Sequence, residues 1–288
     1  MSNTSVTTHE TPRKHLTLAC HRLPYGLEHP RQYLDLYYLS SQVRSNQGDP
    51  PPPKYLIFFI HGGAWRSNAP DQFAEQACIL FDKVLCPEEV AVVIPAYQLS
   101  LAPEWPQHPA HLDDLTKALD YISTHDILSD SPTQLHLMGH SCGATLAAQL
   151  VLSNRIPQSS PLQLRSVVGI EGIYDIPMLV RDFPSYAEHF INNAFGHDMA
   201  GWADASPTHL ALSSSSSFSS LSPLTWVLIH SMEDELLNLA QTTAFASAIS
   251  QAFPSHTLIV DSTSLTGEHD PCLSNPIWAT VALSHIKL

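Results

Sequence analysis

The sequence predicts an α/β protein with a mostly parallel, doubly wound sheet, helices on both faces and antiparallel strands at its N-terminal edge. From residue 55 onward, short apolar runs alternate with segments of helical periodicity, which is typical of repeated strand–helix–strand units. The runs Tyr55–Ile60 and Val90–Ile94 are continuously apolar, as in strands buried on both faces. Before them, His15–Cys20 and Gln32–Ser40 have strand character and are joined by turns, which indicates an antiparallel start.

The other elements continue this alternation. Apolar spacing predicts four helices and further short strands. The helices are Asp71–Leu85, Ala110–His125, Leu236–Ala252 and Asn275–Ile286, and the strands are Leu135–Met138, Ser166–Ile170, Trp226–His230 and His256–Val260. The breaker-rich segment Ser45–Pro53 predicts a loop, and its length favours an insertion within a hairpin over a linker between domains.

Residues 176–222 interrupt the rhythm. Aromatic residues are followed by a serine tract, which is typical of a solvated linker. Two interpretations stay open: a helical excursion or lid over the top of the sheet, and an ordinary long surface loop. The aromatic residues are Phe183, Tyr186, Phe190, Phe195 and Trp202.

Length and composition indicate one globular domain over residues 1–288, with a disordered tail at residues 1–14. The net charge of -14 argues against nucleic acid as a partner. The five cysteines are scattered and odd in number, which favours reduced thiols and a cytoplasmic location. The polar N-terminus lacks the apolar region of a secretory signal, and no apolar run reaches the roughly 18 residues of a membrane helix.

The strongest functional motif is Gly139-His140-Ser141-Cys142-Gly143, between a predicted strand and a helix. A G-x-S-x-G sequence in that context predicts a nucleophile elbow, in which Ser141 projects from a tight turn. The two glycines are needed because the chain at those positions lies against neighbouring backbone. A thiol chemistry of Cys142 is disfavoured, because Ser141 occupies the apex and a buried cysteine behaves as a small apolar residue.

A serine nucleophile needs a base, and the base needs an acid. In a doubly wound hydrolase sheet these follow the serine in the order acid, then histidine. Of the 17 histidines, His269 is the best placed, in the loop after the last strand. Asp234 is favoured as the acid over Asp175, which is more simply a helix cap or turn residue. The neighbours of Asp234, Glu233 and Glu235, are expected to be exposed.

The segment His61-Gly62-Gly63-Ala64-Trp65 ends a buried strand about 80 residues before the elbow. Glycines let the main chain approach a ligand, so this loop can present amide groups to a developing oxyanion. The predicted donors are the amides of Gly63 and Ala64, with Gly62 as a third candidate. The amide of Cys142 completes the set. No H-E-x-x-H cluster is present, and neither a metal nor a cofactor is expected.

The motifs HGGAW, GHSCG, GIYD, HSMEDEL and GEHD, in this order, resemble the α/β-hydrolase superfamily near its hormone-sensitive-lipase-like branch. The HGG-x-W pattern is similar to that of the kynurenine formamidases (arylformamidases) of the compact fungal type. The resemblance implies hydrolysis of N-formyl-L-kynurenine to kynurenine and formate, a step of tryptophan degradation that feeds NAD biosynthesis. It also implies a triad of Ser141, Asp234 and His269 and a homodimer.

For the aryl ring of such a small-molecule substrate, the candidate walls are Trp65, Tyr174 and the aromatic residues of the 183–202 segment.

Two rival functions remain: a general carboxylesterase of the same fold and a non-catalytic interaction protein. The second is disfavoured because proteins of that kind usually lose a triad member.

Overall fold

The structure, a computed structural model, describes residues 6–42, 52–102, 105–126, 128, 132–157, 161–213, 223–286 and 288. Within these residues, nine strands form one sheet in the order β1-β2-β3-β5-β4-β6-β7-β8-β9. The strands are Val6–Glu10 (β1), Thr17–Pro24 (β2), Tyr33–Leu39 (β3), Tyr55–Ile60 (β4), Val90–Pro95 (β5), Thr133–His140 (β6), Leu162–Ile170 (β7), Thr225–Ile229 (β8) and Thr257–Asp261 (β9).

The sheet is mixed, and its antiparallel part is N-terminal. Strands β1, β2 and β3 pair antiparallel, and β3 pairs antiparallel with β5. From β5 across β4, β6, β7 and β8 to β9, all pairs are parallel. The predicted fold class is therefore confirmed.

Helices cover both faces of this sheet. They are Ala74–Lys83 (α1), Ala110–Ser123 (α2), Cys142–Leu152 (α3), Ile176–Asp182 (α4), Asn192–Phe195 (α5), Met199–Ala205 (α6), Pro207–Ser213 (α7), Ala240–Ala252 (α8) and Ile277–His285 (α9). Strand β4 shows why both faces need cover, because its alternate side chains enter different cores. Leu56 and Phe58 join the core that contains residues of α2, α3 and α8. Ile57 and Phe59 join the core that contains residues of α1 and α9.

Two expectations about local structure are corrected. The predicted disordered tail contains β1, which pairs with β2 from Val6 opposite His21 to Glu10 opposite Thr17. Polar residues in this edge strand hide it from an apolar pattern, because backbone pairing rather than side-chain burial holds it. Residues 1–5 lie outside the described part. The helix expected from Leu236 begins instead at Ala240, because the preceding residues form a tight loop around the Asp234 carboxylate.

The helical interpretation of the excursion is confirmed over residues 176–213, which form α4 to α7 with a π-helical turn at Ala187–Ile191. The rest of the predicted serine tract, residues 214–222, lies outside the described part, as do residues 45–51 of the predicted loop. Of the helices that the structure describes, none is long and apolar enough to cross a membrane.

Candidate active site

Ser141 lies at the turn between β6 and α3. Its backbone has φ 55° and ψ -125°, a left-handed conformation that costs energy for a residue with a side chain. Both flanking glycines are required by space. A Cβ on Gly139 would lie 2.3 Å from the carbonyl carbon of Gly143, and one on Gly143 would lie 2.1 Å from the carbonyl oxygen of Ile60. The strained turn and the contacts of its glycines are those of a nucleophile elbow.

His269 and Asp234 form a direct pair beside this turn. The Nδ1–H of His269 donates to Oδ2 of Asp234 at 2.8 Å, and the two side chains are 4% and 0% exposed. Because a carboxylate can only accept here, Nδ1 carries the proton and Nε2 is left as the basic atom. The other oxygen of Asp234 accepts the amides of Leu236 and Leu237 at 2.8 and 2.9 Å. The backbone amides therefore fix the orientation of the Asp234 carboxylate, and the carboxylate fixes the orientation of the His269 ring.

Each partner changes the pKa of the other. Burial alone would lower the pKa of His269, but the hydrogen bond and the charge of Asp234 raise it above its ordinary value. Burial alone would raise the pKa of Asp234, but its hydrogen bond with His269 and the neighbouring Glu171 carboxyl group hold it well below its ordinary value. Asp234 is therefore a carboxylate at neutral pH, and the charge favours a protonated His269 during turnover.

Two neighbouring carboxylates hold the loop that carries His269. Oε2 of Glu233 accepts the amide of Gly267 at 2.8 Å, and Oε2 of Glu235 accepts the amide of His269 at 2.9 Å. Both residues are exposed, as the sequence predicted. Their function in fixing this loop was not predicted, although the run Glu233-Asp234-Glu235 is a visible signal for it.

Asp175 lies in a different environment. Its Oδ1 accepts the amide of Met178 at 2.9 Å and so caps the N-terminus of α4. Its Oδ2 lies 3.2 Å from Nε2 of His209 on α7. The structure brings Asp234 rather than Asp175 to His269, and Asp175 is the helix cap that the sequence allowed.

The loop after β4 approaches the elbow closely. A Cβ on Gly62 would lie 2.9 Å from Nδ1 of His140 and 3.2 Å from Cβ of Ser141. Gly63 has φ 114°, and a side chain there would meet the carbonyl oxygen of Ser67 at 2.5 Å. Gly62 therefore allows the main chain to lie against the elbow, as an oxyanion loop requires, and Gly63 allows the loop to turn back on Ser67.

The side chain of Cys142 contacts the backbone of this loop. Its Sγ accepts the amide of Trp65 at 3.4 Å, and the Ala64 amide also lies beside it. Burial raises the pKa of the Cys142 thiol to about 11, so it is a thiol and not a thiolate at neutral pH. His61 stacks on Tyr97 with ring centroids 4.5 Å apart, and burial lowers the pKa of His61 to about 4.

Ser141 and His269 both face one apolar cavity of about 160 Å³. Its lining residues are Ala64, Ser141, Ile173, Tyr186, Phe190, Leu236, Leu237 and His269. The sequence-based assignment of Trp65 and Tyr174 to the wall is corrected. Trp65 is fully buried against Phe195, with centroids 4.9 Å apart in an edge-on arrangement. Tyr174 is 1% exposed and stacks on Phe245.

The aromatic wall comes instead from the helical excursion, through Tyr186 and Phe190. Tyr186 donates its hydroxyl to the carbonyl oxygen of Leu236 at 3.2 Å, so the excursion is tied to the loop after Asp234. The lining residues Leu236 and Leu237 were missed. Their position directly after the acid was the available signal.

Two groups of side chains contain clustered candidate metal ligands. They are His140 with His269 and Asp270, and Glu171 with His230 and Asp234, and in each group the ligand atoms lie within 4.8 Å of one another. His140 is already engaged, because its Nε2–H donates to the carbonyl oxygen of His269 at 3.0 Å. Burial and the charge of His269 lower the pKa of His140 to about 3. The absence of a metal stays a prediction.

Comparison with known proteins identifies the family. Residues 42–249 match the family model described as BD-FAE. The kynurenine formamidase of Meyerozyma guilliermondii is 34% identical over 196 residues, which cover 66% of this chain and 69% of the relative. That of Eremothecium gossypii is 31% identical over 220 residues, covering 71% and 83% respectively. This chain belongs to the kynurenine formamidase family.

Solved structures agree on the fold of this kynurenine formamidase family member. Phosphonate-inhibited esterase B from Lactobacillus rhamnosis superposes with a TM-score of 0.69 at 15% identity, over 96% of this chain and 86% of that chain. Carboxyl esterase 2 from Tuber melanosporum gives 0.64 at 17% identity, over 98% and 85% respectively. At these identities the similarity concerns the architecture alone. A small-molecule substrate follows from membership of the kynurenine formamidase family.

Proposed function

We propose that this protein hydrolyses the formamide bond of N-formyl-L-kynurenine, releasing L-kynurenine and formate. The observation that carries the proposal is His269, which is paired with Asp234 and lines the same cavity as Ser141, in a chain of the kynurenine formamidase family. The proposed reaction is an acyl transfer to serine followed by hydrolysis, and it needs no group from outside the chain except water.

In the first half, Nε2 of His269 takes the proton of the Ser141 hydroxyl as Oγ attacks the formyl carbon. The negative charge that forms on the carbonyl oxygen is stabilised by the amides of Gly63 and Cys142, with Ala64 and Gly62 as further donors. His269 then donates its proton to the aniline nitrogen, the C–N bond breaks, and kynurenine leaves a formyl ester on Ser141.

In the second half, His269 removes a proton from water, which attacks the formyl carbon. Collapse of this second intermediate returns the proton to Oγ of Ser141 and releases formate. Asp234 stabilises the positive charge of His269 in both halves. A formyl group is the smallest acyl group. It therefore suits a site in which the loop after β4 lies directly against Ser141. Tyr186 and Phe190 provide apolar surface for the aryl ring.

The decisive experiment incubates the purified protein with N-formyl-L-kynurenine and measures kynurenine and formate release. Ser141→Ala should reduce turnover by about 10⁴-fold or more, because no nucleophile remains. Its unfolding temperature should match that of the wild type. A Ser141→Ala protein that keeps its turnover would show that this mechanism is wrong.

The second candidate function is hydrolysis of carboxylic esters, which the apolar lining of the cavity favours. It uses the same Ser141 and His269 and differs in the leaving group, because an aniline needs protonation by His269 more than a phenol does. Rates on N-formyl-L-kynurenine and on an aryl acetate, measured side by side, separate the two candidates. The homodimer and the cytoplasmic location remain predictions, and light scattering of the purified protein tests the first.

A further inference from the structure

Glu171 is a fully buried carboxyl group that the proposed reaction does not use. It follows β7 directly, is 0% exposed and has φ 49°, so the chain holds it there in a strained conformation. Its amide donates to the carbonyl oxygen of Ile229 at 2.9 Å, and its Oε1 accepts the amide of Ser231 at 2.7 Å. The side chain therefore has one defined orientation between β7 and the segment after β8.

The second oxygen of Glu171 lies in a cluster with His230 and Asp234. Oε2 lies 3.0 Å from Nδ1 of His230, but the angles do not make a hydrogen bond. The Glu171, His230 and Asp234 ligand atoms all lie within 4.8 Å of one another. A buried carboxylate oxygen without a donor is costly, whereas a protonated carboxyl group becomes a donor itself. The Asp234 carboxylate is the acceptor within reach.

We propose that Glu171 is a positioning residue that keeps its proton in the active enzyme and donates it in a hydrogen bond to the Asp234 carboxylate. The proton removes the repulsion between two buried carboxylates and leaves the Asp234 charge directed at His269. This inference rests on the proposed function, because it assigns Glu171 a role behind the proposed triad.

The pKa shifts of Glu171 and Asp234 agree with a protonated Glu171 beside an ionised Asp234. Burial raises the pKa of Glu171 to about 7, against the opposing effect of the adjacent His230, and the neighbouring Asp234 raises it further. The Glu171 carboxyl group in turn contributes to the low pKa of Asp234. A cavity of about 220 Å³ borders His230 and Asp234, so water can reach the edge of the cluster and exchange protons with it.

The pH response depends on every titratable group around the pair. Those around Glu171 are His230, Asp234, Cys272, Tyr174 and His269. Those around His269 also include Asp270 and His140. An ionised Glu171 would raise the pKa of His269 and keep the base protonated to higher pH. A Glu171 that keeps its proton adds no such charge, so a neutral donor in its place should leave the acid limb of the pH profile unchanged.

Two substitutions separate this role from simple packing. Glu171→Gln keeps a donor toward Asp234 but cannot ionise, and Glu171→Met has a similar length but no donor. In Glu171→Gln, kcat should stay within about threefold of the wild type, and the acid limb of the kcat/KM profile should coincide with that of the wild type to within about 0.2 pH unit. In Glu171→Met, kcat should fall about 10- to 100-fold with little change in KM.

The control is Glu89→Gln, a surface carboxyl that pairs with Lys54 at the opposite end of the sheet, and it should leave the profile unchanged. A purely structural role would lower the unfolding temperature of both Glu171 variants and would give both the same loss of kcat. The inference is overturned if the Glu171→Gln limb moves to lower pH by about 0.5 or more, because Glu171 would then be ionised in the wild type, or if a folded Glu171→Met variant turns over normally. If Glu171→Met does not fold, the Glu171→Gln profile alone decides.

The same profiles should be recorded for the rate at which an aryl phosphonate inactivates Ser141. This measurement requires the triad but no formamide substrate. A wild type that hydrolyses no N-formyl-L-kynurenine would contradict the proposed function, and the phosphonate profile would still test Glu171.

Discussion

Asp234→Asn is the sharpest test of the proposed triad, because both oxygens of Asp234 accept hydrogen bonds. One oxygen binds His269 and the other binds the amides of Leu236 and Leu237. Asparagine has a single acceptor oxygen. If that oxygen stays with the two amides, the new NH₂ group faces Nδ1 of His269 and forces the proton onto Nε2. His269 then cannot accept the Ser141 proton.

In the opposite orientation, the NH₂ group faces the two amides and both of their hydrogen bonds are lost. Either arrangement should lower kcat by about 10³- to 10⁴-fold, the loss that a wrong histidine tautomer causes, equivalent to roughly 4 to 5.5 kcal/mol of barrier. Initial rates of kynurenine release measure it, with thermal unfolding as the check on folding.

Asp175→Asn is the matched control for this substitution. It makes the same chemical change in an aspartate that caps α4, and asparagine caps a helix about as well. Its kcat should stay within about twofold of the wild type. A larger loss for Asp175→Asn than for Asp234→Asn, or an Asp234→Asn variant within tenfold of the wild type, would refute the assignment of the acid.

Three further predictions follow from the same geometry. Activity should fall as the pH drops through a value above about 6.5, the ordinary histidine pKa, because a raised pKa keeps His269 protonated; kcat/KM from pH 5 to 9 tests this. Glu235→Gln should lower kcat about 3- to 30-fold by weakening the hydrogen bond to the His269 amide, whereas Glu89→Gln should not, and steady-state kinetics compare them. Gly143→Ala should destabilise the protein by roughly 3 kcal/mol or more, because its Cβ has no room, whereas Gly201→Ala in α6, with its nearest neighbour at 3.8 Å, should not destabilise it; chemical denaturation measures both.

The central parallel strands were predictable because strands buried on both faces need continuous apolar runs. The run Tyr55–Ile60 is β4 residue for residue, and its alternate side chains enter the two cores. Strand β1 could not be found in this way, because an edge strand is held by its backbone hydrogen bonds, which any residue except proline can make. The start of α8 was displaced because the residues after Asp234 form a loop around its carboxylate, and the helix begins only at Ala240.

In the candidate site, too, some residues were predictable from the sequence and others were not. Ser141, Asp234 and His269 were predicted from chain order and strand ends, and the structure brings Asp234 to His269. The walls were not identified correctly, because Trp65 and Tyr174 lie next to functional motifs but point into the cores. Sequence position shows which strand end a residue follows. It does not show which way a side chain turns after the strand has ended.

The carboxyl groups around His269 illustrate this most clearly. Glu233, Asp234 and Glu235 are consecutive, and all three bind the segment that carries the histidine: two through backbone amides and one through the ring. Glu171 is distant in sequence and reaches the same cluster because β7 and β8 are neighbours in the sheet. A histidine fixed through its loop by two exposed carboxylates, and through its ring by a buried one, can be held rigidly with a single buried negative charge beside it. A second buried negative charge would raise the pKa of the base further, so a protonated Glu171 reconciles two adjacent carboxyl groups with a base that works near neutral pH.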